Sequence, residues 1–574
     1  MQALIQYGFF FLILTLLVKP VGGYMARVFQ RQRTLLDPVL RPVERLLYRA
    51  TGVDDQQEMD WKQYATSFVL FGFFGTLLLY GILRLQRFLP WFYPAYQTTP
   101  LTPDLAMNTA ISFSTTTTWQ AYGGETTMSY FSQMVGLTAQ NFLAGAAGLA
   151  VGVAFIRGFV RTRAGTLGNF WVDLVRVLLW VLLPLALVGA AVLVWQGVPM
   201  NFHPYAQVRT VEGSIQTIAQ GPVAALEIIK NLGTNGGGFF NANGAHPYEN
   251  PTPLTNLIAL LAIAVLPAAF TNTFGRMIGN PREGWILYAV MTVLFVAGLA
   301  ACGWNEQKGN RILKQQAHLL TAGSANQPGG NMEGKELRFG IAQSVLTAVV
   351  TSNGATGSYN SMHDSYTPLG GAVPLVNMLL GEIVYGGLGT GLYSIILIAL
   401  LALLLAGLMV GRTPQYLGKT VGPPEAKMLT LYVLAGPCAI LPLTAIAVAT
   451  RAGLAGLTTN TGAHGLTEIL FAFASCVANN GQSFAGLNAD TPFYNLATAV
   501  AMMVGRFALA IAALALAGLF AAQPRRFSGE GSIRTDTVTF GVLLLATAVV
   551  VCGLSFFPVL TLGPVLEHLA RFVS

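Results

Sequence analysis

At 574 residues, 53% of them hydrophobic and only 10% charged, with a mean hydropathy of +0.56, the chain falls far short of the roughly 25% charged residues of a soluble protein. That excludes a soluble globular enzyme and indicates an all-α polytopic membrane protein, because apolar windows of about 20 residues recur along nearly the whole length. The net charge of +8 is carried in short loops between those windows, so it argues for membrane topology and not for nucleic acid, and Cys302, Cys438, Cys476 and Cys552 lack the spacing of a metal site or a disulfide framework.

Ten spans are predicted, at about 3–21, 65–85, 130–155, 172–196, 254–274, 284–303, 376–409, 428–450, 496–522 and 537–562. The first has no basic residue before Lys19 and no small-residue cleavage site, and reads as a retained span instead of a signal peptide. A basic loop follows each odd-numbered span. Arg27, Arg31, Arg33, Arg41, Arg45 and Arg49 follow the first; Arg157, Arg161 and Arg163 the third; Arg276 and Arg282 the fifth. Arg412 and Lys419 follow the seventh, and Arg525, Arg526 and Arg534 the ninth. The positive-inside rule puts these loops in the cytoplasm and both termini on the extracytoplasmic side.

The connections after spans two, four, six and eight hold polar, helix-hostile stretches: "SFSTTTTWQAYGGETTMSYF" (112–131), "GTNGGGFFNANGAHPYENPTP" (233–253), "ATGSYNSMHDSYTPLGG" (355–371) and "NNGQSFAGLNADTPFYN" (479–495). Thr118, Gly236, Gly357 and Gly481 mark them at intervals of 118, 121 and 124 residues, which suggests fourfold internal duplication. Each is preceded by a short apolar segment (105–113, 223–232, 338–350 and 465–478) too short to cross a bilayer but long enough to enter and turn back. The implied unit is span, re-entrant helix, polar loop, span. Units at 62–156, 157–279, 280–410 and 411–526 form a central pore, and 1–61 and 527–574 contribute the two extra spans.

Irregular backbone at membrane depth is tolerated where it lines a watery cavity, and rings of backbone carbonyls replace the hydration shell of a monovalent cation. With almost no Asp or Glu in the four cores, the composition favours a dehydrated monovalent ion over a divalent one. The competing reading is four ordinary external turns.

Span seven is 34 residues long, about 50 Å as a helix. Its segment "GEIVYGGLGTGLYS" (381–394) contains Gly386, Gly387, Gly389 and Gly391, which favour a break near mid-membrane. That break is either a gate beneath the filter or a packing kink. Glu382 and Arg506 fall inside apolar segments, where they either pair internally or handle ions. Arg412 is either near an ion exit or a topology anchor. His246, His363 and Asp364 follow their loops outside the membrane and suit loop bracing better than metal binding. "LGKT" (417–420) resembles a P-loop ending, but Thr413 stands where the leading Gly belongs. No DKTGT, HExxH or Ser-His-Asp arrangement is visible, so this chain carries no recognisable catalytic or ATP site and energy comes from a partner or an ion gradient.

The motifs "TWQ.Y.GETT.SYFSQM" with "QNF" (118–142), "LGTNGGGFFNAN..HP.ENPT" (232–252), "NMEGKE.RFG" (331–340), "MHDS.T.LGG" (362–371), "GRTP.YLGK" (411–419) and "NNG..FAGL" (479–487) resemble the potassium-binding subunits of Kdp-type potassium-transporting ATPases. The resemblance spans essentially the whole chain. It implies a multi-pass protein of the bacterial inner membrane, descended from potassium-channel-like architecture, that binds K+, the transported ion, in a high-affinity filter. A separate P-type ATPase subunit would hydrolyse ATP, with small accessory membrane subunits alongside. Carried over by motif, the filter comprises Thr116, Thr117, Thr118 and Gln120; Gly233, Thr234, Asn235 and Gly236; Ala355, Thr356 and Gly357; and Asn479, Asn480 and Gly481. A self-sufficient potassium channel or ion-coupled symporter of the same architecture is the alternative.

Overall fold

The computed structural model describes residues 2–310, 323–324, 329–409, 411, 413–525 and 533–573. Arg412 and Arg526, singled out above, lie outside the described residues. Among the described residues, ten helices are long and apolar enough to cross a membrane. They run Ala3–Phe29, Trp61–Phe88, Ser132–Val160, Phe170–Trp195, Pro253–Met277, Pro281–Lys308, Thr390–Met409, Pro423–Ala449, Pro492–Ala522 and Val538–Ala570. Several begin at caps that the sequence supplies. Thr252, Thr491 and Thr537 accept hydrogen bonds from the N–H groups three residues on, satisfying donors that a helix start leaves free.

Burial sorts the ten spans into two groups. The apolar windows of spans three, five, seven and nine are 83%, 67%, 67% and 56% buried, whereas the other six lie between 17% and 39%. Four spans thus form an inner layer, and six present one side outward. Span three shows how the inner layer closes: Gly145, Gly148 and Gly152 repeat along one face of the helix. Cβ atoms built there would lie 2.9 Å from the Gly233 Cα, 2.6 Å from the Leu388 carbonyl oxygen and 2.9 Å from the Gly389 Cα. Small residues permit this backbone approach, which is how helices associate where lipid supplies no hydrophobic drive.

Four shorter helices lie at Pro103–Ser114, Val223–Leu232, Gly340–Asn353 and Gly462–Val477, each ending at one of the polar stretches. Most of their residues are buried, so they pack inside the spans and do not run across the surface.

The structure corrects one expectation and adds two details. Span seven is not one long broken helix beginning at 376. A separate helix, Pro368–Leu379, starts earlier, with Thr367 capping the Gly370 N–H, and a non-helical segment at 380–389 intervenes before Thr390–Met409. The basic stretch after span one is partly an amphipathic helix, Asp37–Thr51. The fold is all-α as expected, with two short antiparallel pairings, Ala206–Arg209 with Ile215–Ile218 and Gln415–Tyr416 with Lys419–Thr420.

Candidate functional site

The four polar stretches leave their helices by the same hydrogen bonds. The N–H groups of Thr115, Gly233, Gly354 and Ala478 donate to carbonyls four residues back, at 2.8–2.9 Å. Two residues later, those of Thr117, Asn235, Thr356 and Asn480 reach back five residues, to Ser112, Lys230, Thr351 and Ser475, at 2.9–3.1 Å. This register pairs Thr116–Thr118 with Thr234–Gly236, Ala355–Gly357 and Asn479–Gly481. Gly233 falls at the helix end, one position before its triplet.

The triplets are held in conformations that L-residues avoid. Thr116, Thr234, Ala355 and Asn479, the first residue of each, have φ of 64°, 51°, 47° and 48°. The third residue is again left-handed in three of the four, with Thr118, Gly236 and Gly481 at 49°, 90° and 84°. A β-branched residue there is unusual. Thr118 offsets part of the strain through its hydroxyl, which donates to the carbonyls of Thr117 at 2.8 Å and Asn235 at 2.5 Å.

The four loops touch in cyclic order. Loop one meets loop two through Thr118 and Asn235, and through Gln120, whose side chain donates to the Gly238 carbonyl and accepts from the Gly238 N–H at 3.1 and 3.0 Å. Loop two meets loop three where the Gly237 N–H donates to the Gly357 carbonyl at 3.0 Å. A Cβ on Gly357 would lie 2.8 Å from the carbonyl carbon of Gly481 in loop four. One on Gly481 would collide with the Thr117 carbonyl oxygen, and Asn479 Nδ2 donates to Thr117 Oγ1 at 2.9 Å, returning to loop one. The structure therefore brings all four predicted triplets together. All twelve of their residues are buried.

The non-helical segment 380–389 lies against these loops. The Leu388 N–H donates to Thr234 Oγ1 at 2.7 Å, and a Cβ on Gly387 would lie 3.3 Å from the Ala355 Cβ. Gly381, Glu382, Tyr385 and Gly389 have positive φ, so the break is left-handed at four points. Gly391 packs on Gly386, and Gly386 on the Glu382 carbonyl, leaving no room for a side chain at either glycine. Glu382 is buried. No ion pair joins it to Arg506 among the described residues. Arg506, in a π turn of span nine, instead donates to the Ala144 carbonyl at 2.8 Å and lies 5.3 Å from the centre of the Phe68 ring.

Sequence reasoning missed the charged groups that hold the loops from behind. Lys230, fully buried, donates to the Gly237 carbonyl at 2.7 Å and pairs with Glu227 at 2.7 Å. Glu249 accepts from the N–H groups of Phe239, Phe240 and Gly244, and burial raises its carboxyl to about 7. Behind loop three, Glu306 accepts from Lys335 and Asn331 through one oxygen, and from the Thr367 N–H and hydroxyl through the other, all at 2.7–2.8 Å. The "NMEGKE" motif thus supplies the lysine of a buried ion pair whose acid lies in span six. Replacing Lys335 by Met leaves Glu306 charged and unpaired, an expected loss of about 3–5 kcal/mol in thermal unfolding, with the double variant E306Q/K335M recovering part of it.

Two of the expected bracing residues act through their rings. His246 stacks on Phe240 at 3.9 Å, and His363 sits between Tyr359 and Tyr366 at 5.4 and 5.3 Å. Burial, and then Lys335, push His363 down to about 3, so it is a neutral packing group. Asp364 accepts from His464 at 2.9 Å, whose other ring nitrogen lies 3.1 Å from Glu567. This contact ties loop three to the fourth short helix and to the C-terminal helix.

A family model described as potassium-transporting ATPase A subunit matches residues 8–569. The chain belongs to the family of potassium-transporting ATPase A subunits. Its relatives carry the description "potassium-transporting ATPase potassium-binding subunit". The protein from Methylobacterium nodulans is 53% identical over 554 residues, 96% of this chain and 95% of the relative. That from Methylobacterium radiotolerans is 52% identical over 566 residues, 99% and 97% of the two chains. A third, from Methylorubrum extorquens, is 52% identical over 565 residues, 98% and 97%. The four triplets offer neutral backbone, hydroxyl and amide oxygens and contain no carboxylate.

Proposed function

We propose that the loop cluster is the filter through which this potassium-binding subunit takes up and dehydrates K+ on its way across the inner membrane. The observation that carries the reading is the common hydrogen-bond register of the four loops together with their closed cycle of contacts. The near-equal spacing of the triplets, and an outer span, short helix, polar loop and inner span in each unit, support descent by fourfold duplication. In this reading the short helices are re-entrant, and the units divide at about 62–156, 157–279, 280–410 and 411–526. Left-handed residues alternating along a triplet turn carbonyls toward one side, and carbonyl rings of this kind replace water around potassium.

The segment 380–389 then serves as the gate. It is anchored to the filter through Thr234 and cannot straighten into a helix without moving Gly386 off the Glu382 carbonyl. A closed path below the filter suits a pump, since an open one would dissipate the gradient. Potassium passes onward to a P-type ATPase catalytic subunit, in a complex that includes small accessory membrane subunits. The termini lie on the extracytoplasmic side, as the basic loops require.

The test is potassium uptake and potassium-stimulated ATP hydrolysis in liposomes, comparing the copurified complex with this chain alone. Uptake by the complex only, with potassium preferred over sodium, is the expected result. Passive potassium flux through the isolated chain would instead make it a channel or symporter and remove the gate at 380–389.

A further inference from the structure

The geometry points to a binding site for an anionic phospholipid headgroup on the amphipathic helix Asp37–Thr51, between spans one and two. The helix presents three distinct stripes. Glu44 and Tyr48 are buried and fasten it to the protein: Glu44 accepts from Arg176 at 2.8 Å, from the Tyr48 hydroxyl at 2.7 Å and from the Trp180 indole at 3.3 Å. Val39, Val43 and Leu46, spaced as one helix face, are 68%, 41% and 65% exposed. Arg41, Arg45 and Arg49 form the third stripe.

That third stripe borders a groove of about 630 Å³, walled also by Arg31 and Arg176 and by the carboxylates of Glu44, Asp54 and Asp55. Most of the charge in the groove is already matched. Arg176 is held by Glu44, Arg41 by Asp37 at 2.7 Å, and Arg31 by the Asp55 carbonyl at 2.7 Å. Arg45 and Arg49, one helical turn apart and exposed, have no hydrogen-bond or ion-pair partner among the described residues. Two neighbouring guanidinium forks are suited to bidentate contact with phosphodiester oxygens.

The apolar stripe decides between a lipid and a soluble anion. It lies on the same helix as the free arginines, where Glu44 fastens it to Arg176 and Trp180 of span four, and Arg176 also donates to the carbonyl of Val28 at the end of span one. A soluble phosphate would leave Val39, Val43 and Leu46 in water. A phospholipid covers them with its upper acyl chain while its phosphate meets Arg45 and Arg49, the arrangement of a basic interfacial helix.

The test uses the intact complex in nanodiscs containing phosphatidylcholine and phosphatidylglycerol, extracted into mild detergent, with retained lipid quantified by mass spectrometry. Wild type should retain phosphatidylglycerol selectively. R45Q/R49Q, exposed changes compatible with assembly, should bind it about 30-fold more weakly, from the loss of two surface arginines. Leu46→Gln should also lower retention, and excess inorganic phosphate should not displace the lipid. Equal retention by wild type and R45Q/R49Q would overturn the site. Displacement by phosphate would reassign the groove to a soluble anion. Crosslinking of an Arg45→Cys variant to a neighbouring protein chain instead of to lipid would show the face to be covered by protein, which also overturns the proposal.

Discussion

Replacing Gly236 by serine should raise the potassium concentration needed for half-maximal ATP hydrolysis by roughly 10- to 100-fold, on a strain of about 1–3 kcal/mol at about 1.4 kcal/mol per decade. Gly236 has a φ of 90°, and a Cβ there would collide with the backbone nitrogen, Cα and carbonyl carbon of Gly357. Those are backbone atoms, which cannot rotate aside. A serine can be accommodated only by separating loops two and three, and so by distorting the filter. Gly357→Ser should act in the same direction, because its Cβ would meet the Gly481 carbonyl carbon at 2.8 Å and the Asn480 oxygen at 3.0 Å. The protein should still insert and assemble, since the surrounding helices are untouched. Unaltered potassium dependence in both variants would remove these loops from the binding site.

Lys230→Met should be comparably severe by a different route. The substitution leaves the Gly237 carbonyl without its donor and Glu227 without its cation, both inside the protein. Breaking a buried pair from one side typically costs about 3–5 kcal/mol. Loss of potassium-stimulated hydrolysis together with a lower unfolding temperature is expected. The double variant K230M/E227Q removes the stranded charge, and should recover stability more than potassium affinity, because the Gly237 carbonyl remains unsupported. Equal recovery of both properties would mean that Lys230 braces the fold and not the loop.

What could be read in advance follows from the physics of each signal. Apolar length is a strong signal, and apart from span seven the spans were legible within a few residues at most ends. The four polar stretches that the fold brings together were legible too, because glycine, threonine and asparagine are conspicuous in a chain this apolar. The start of the helix at Pro368 was not, since "PLGGAVPLVNML" carries two glycines and a proline that argue locally against a helix and are overruled by packing. Lys230, Glu227, Glu306 and Lys335 were missed for another reason. A charge near a polar loop normally reads as solvated, and only the folded chain reveals which charges are sealed against one another. Glu382 and Arg506 were noticed, yet spacing along the sequence said nothing about distance across the bundle, and Arg506 turns to the Ala144 carbonyl instead.

The direction of the four short helices has a consequence for the ion. Each points its C-terminal end at the loops, and that end of a helix dipole is equivalent to roughly half a negative charge. Four such ends place on the order of two negative charges around the cluster. None of this charge belongs to an ionisable side chain, since the triplets Thr116–Thr118, Thr234–Gly236, Ala355–Gly357 and Asn479–Gly481 contain none. A site built from carboxylates would release its cation as protons arrived at about pH 4. A field made of peptide groups has nothing to protonate, so on the filter reading this part of the pull on potassium does not titrate, whereas the Glu249 carboxylate that braces loop two does.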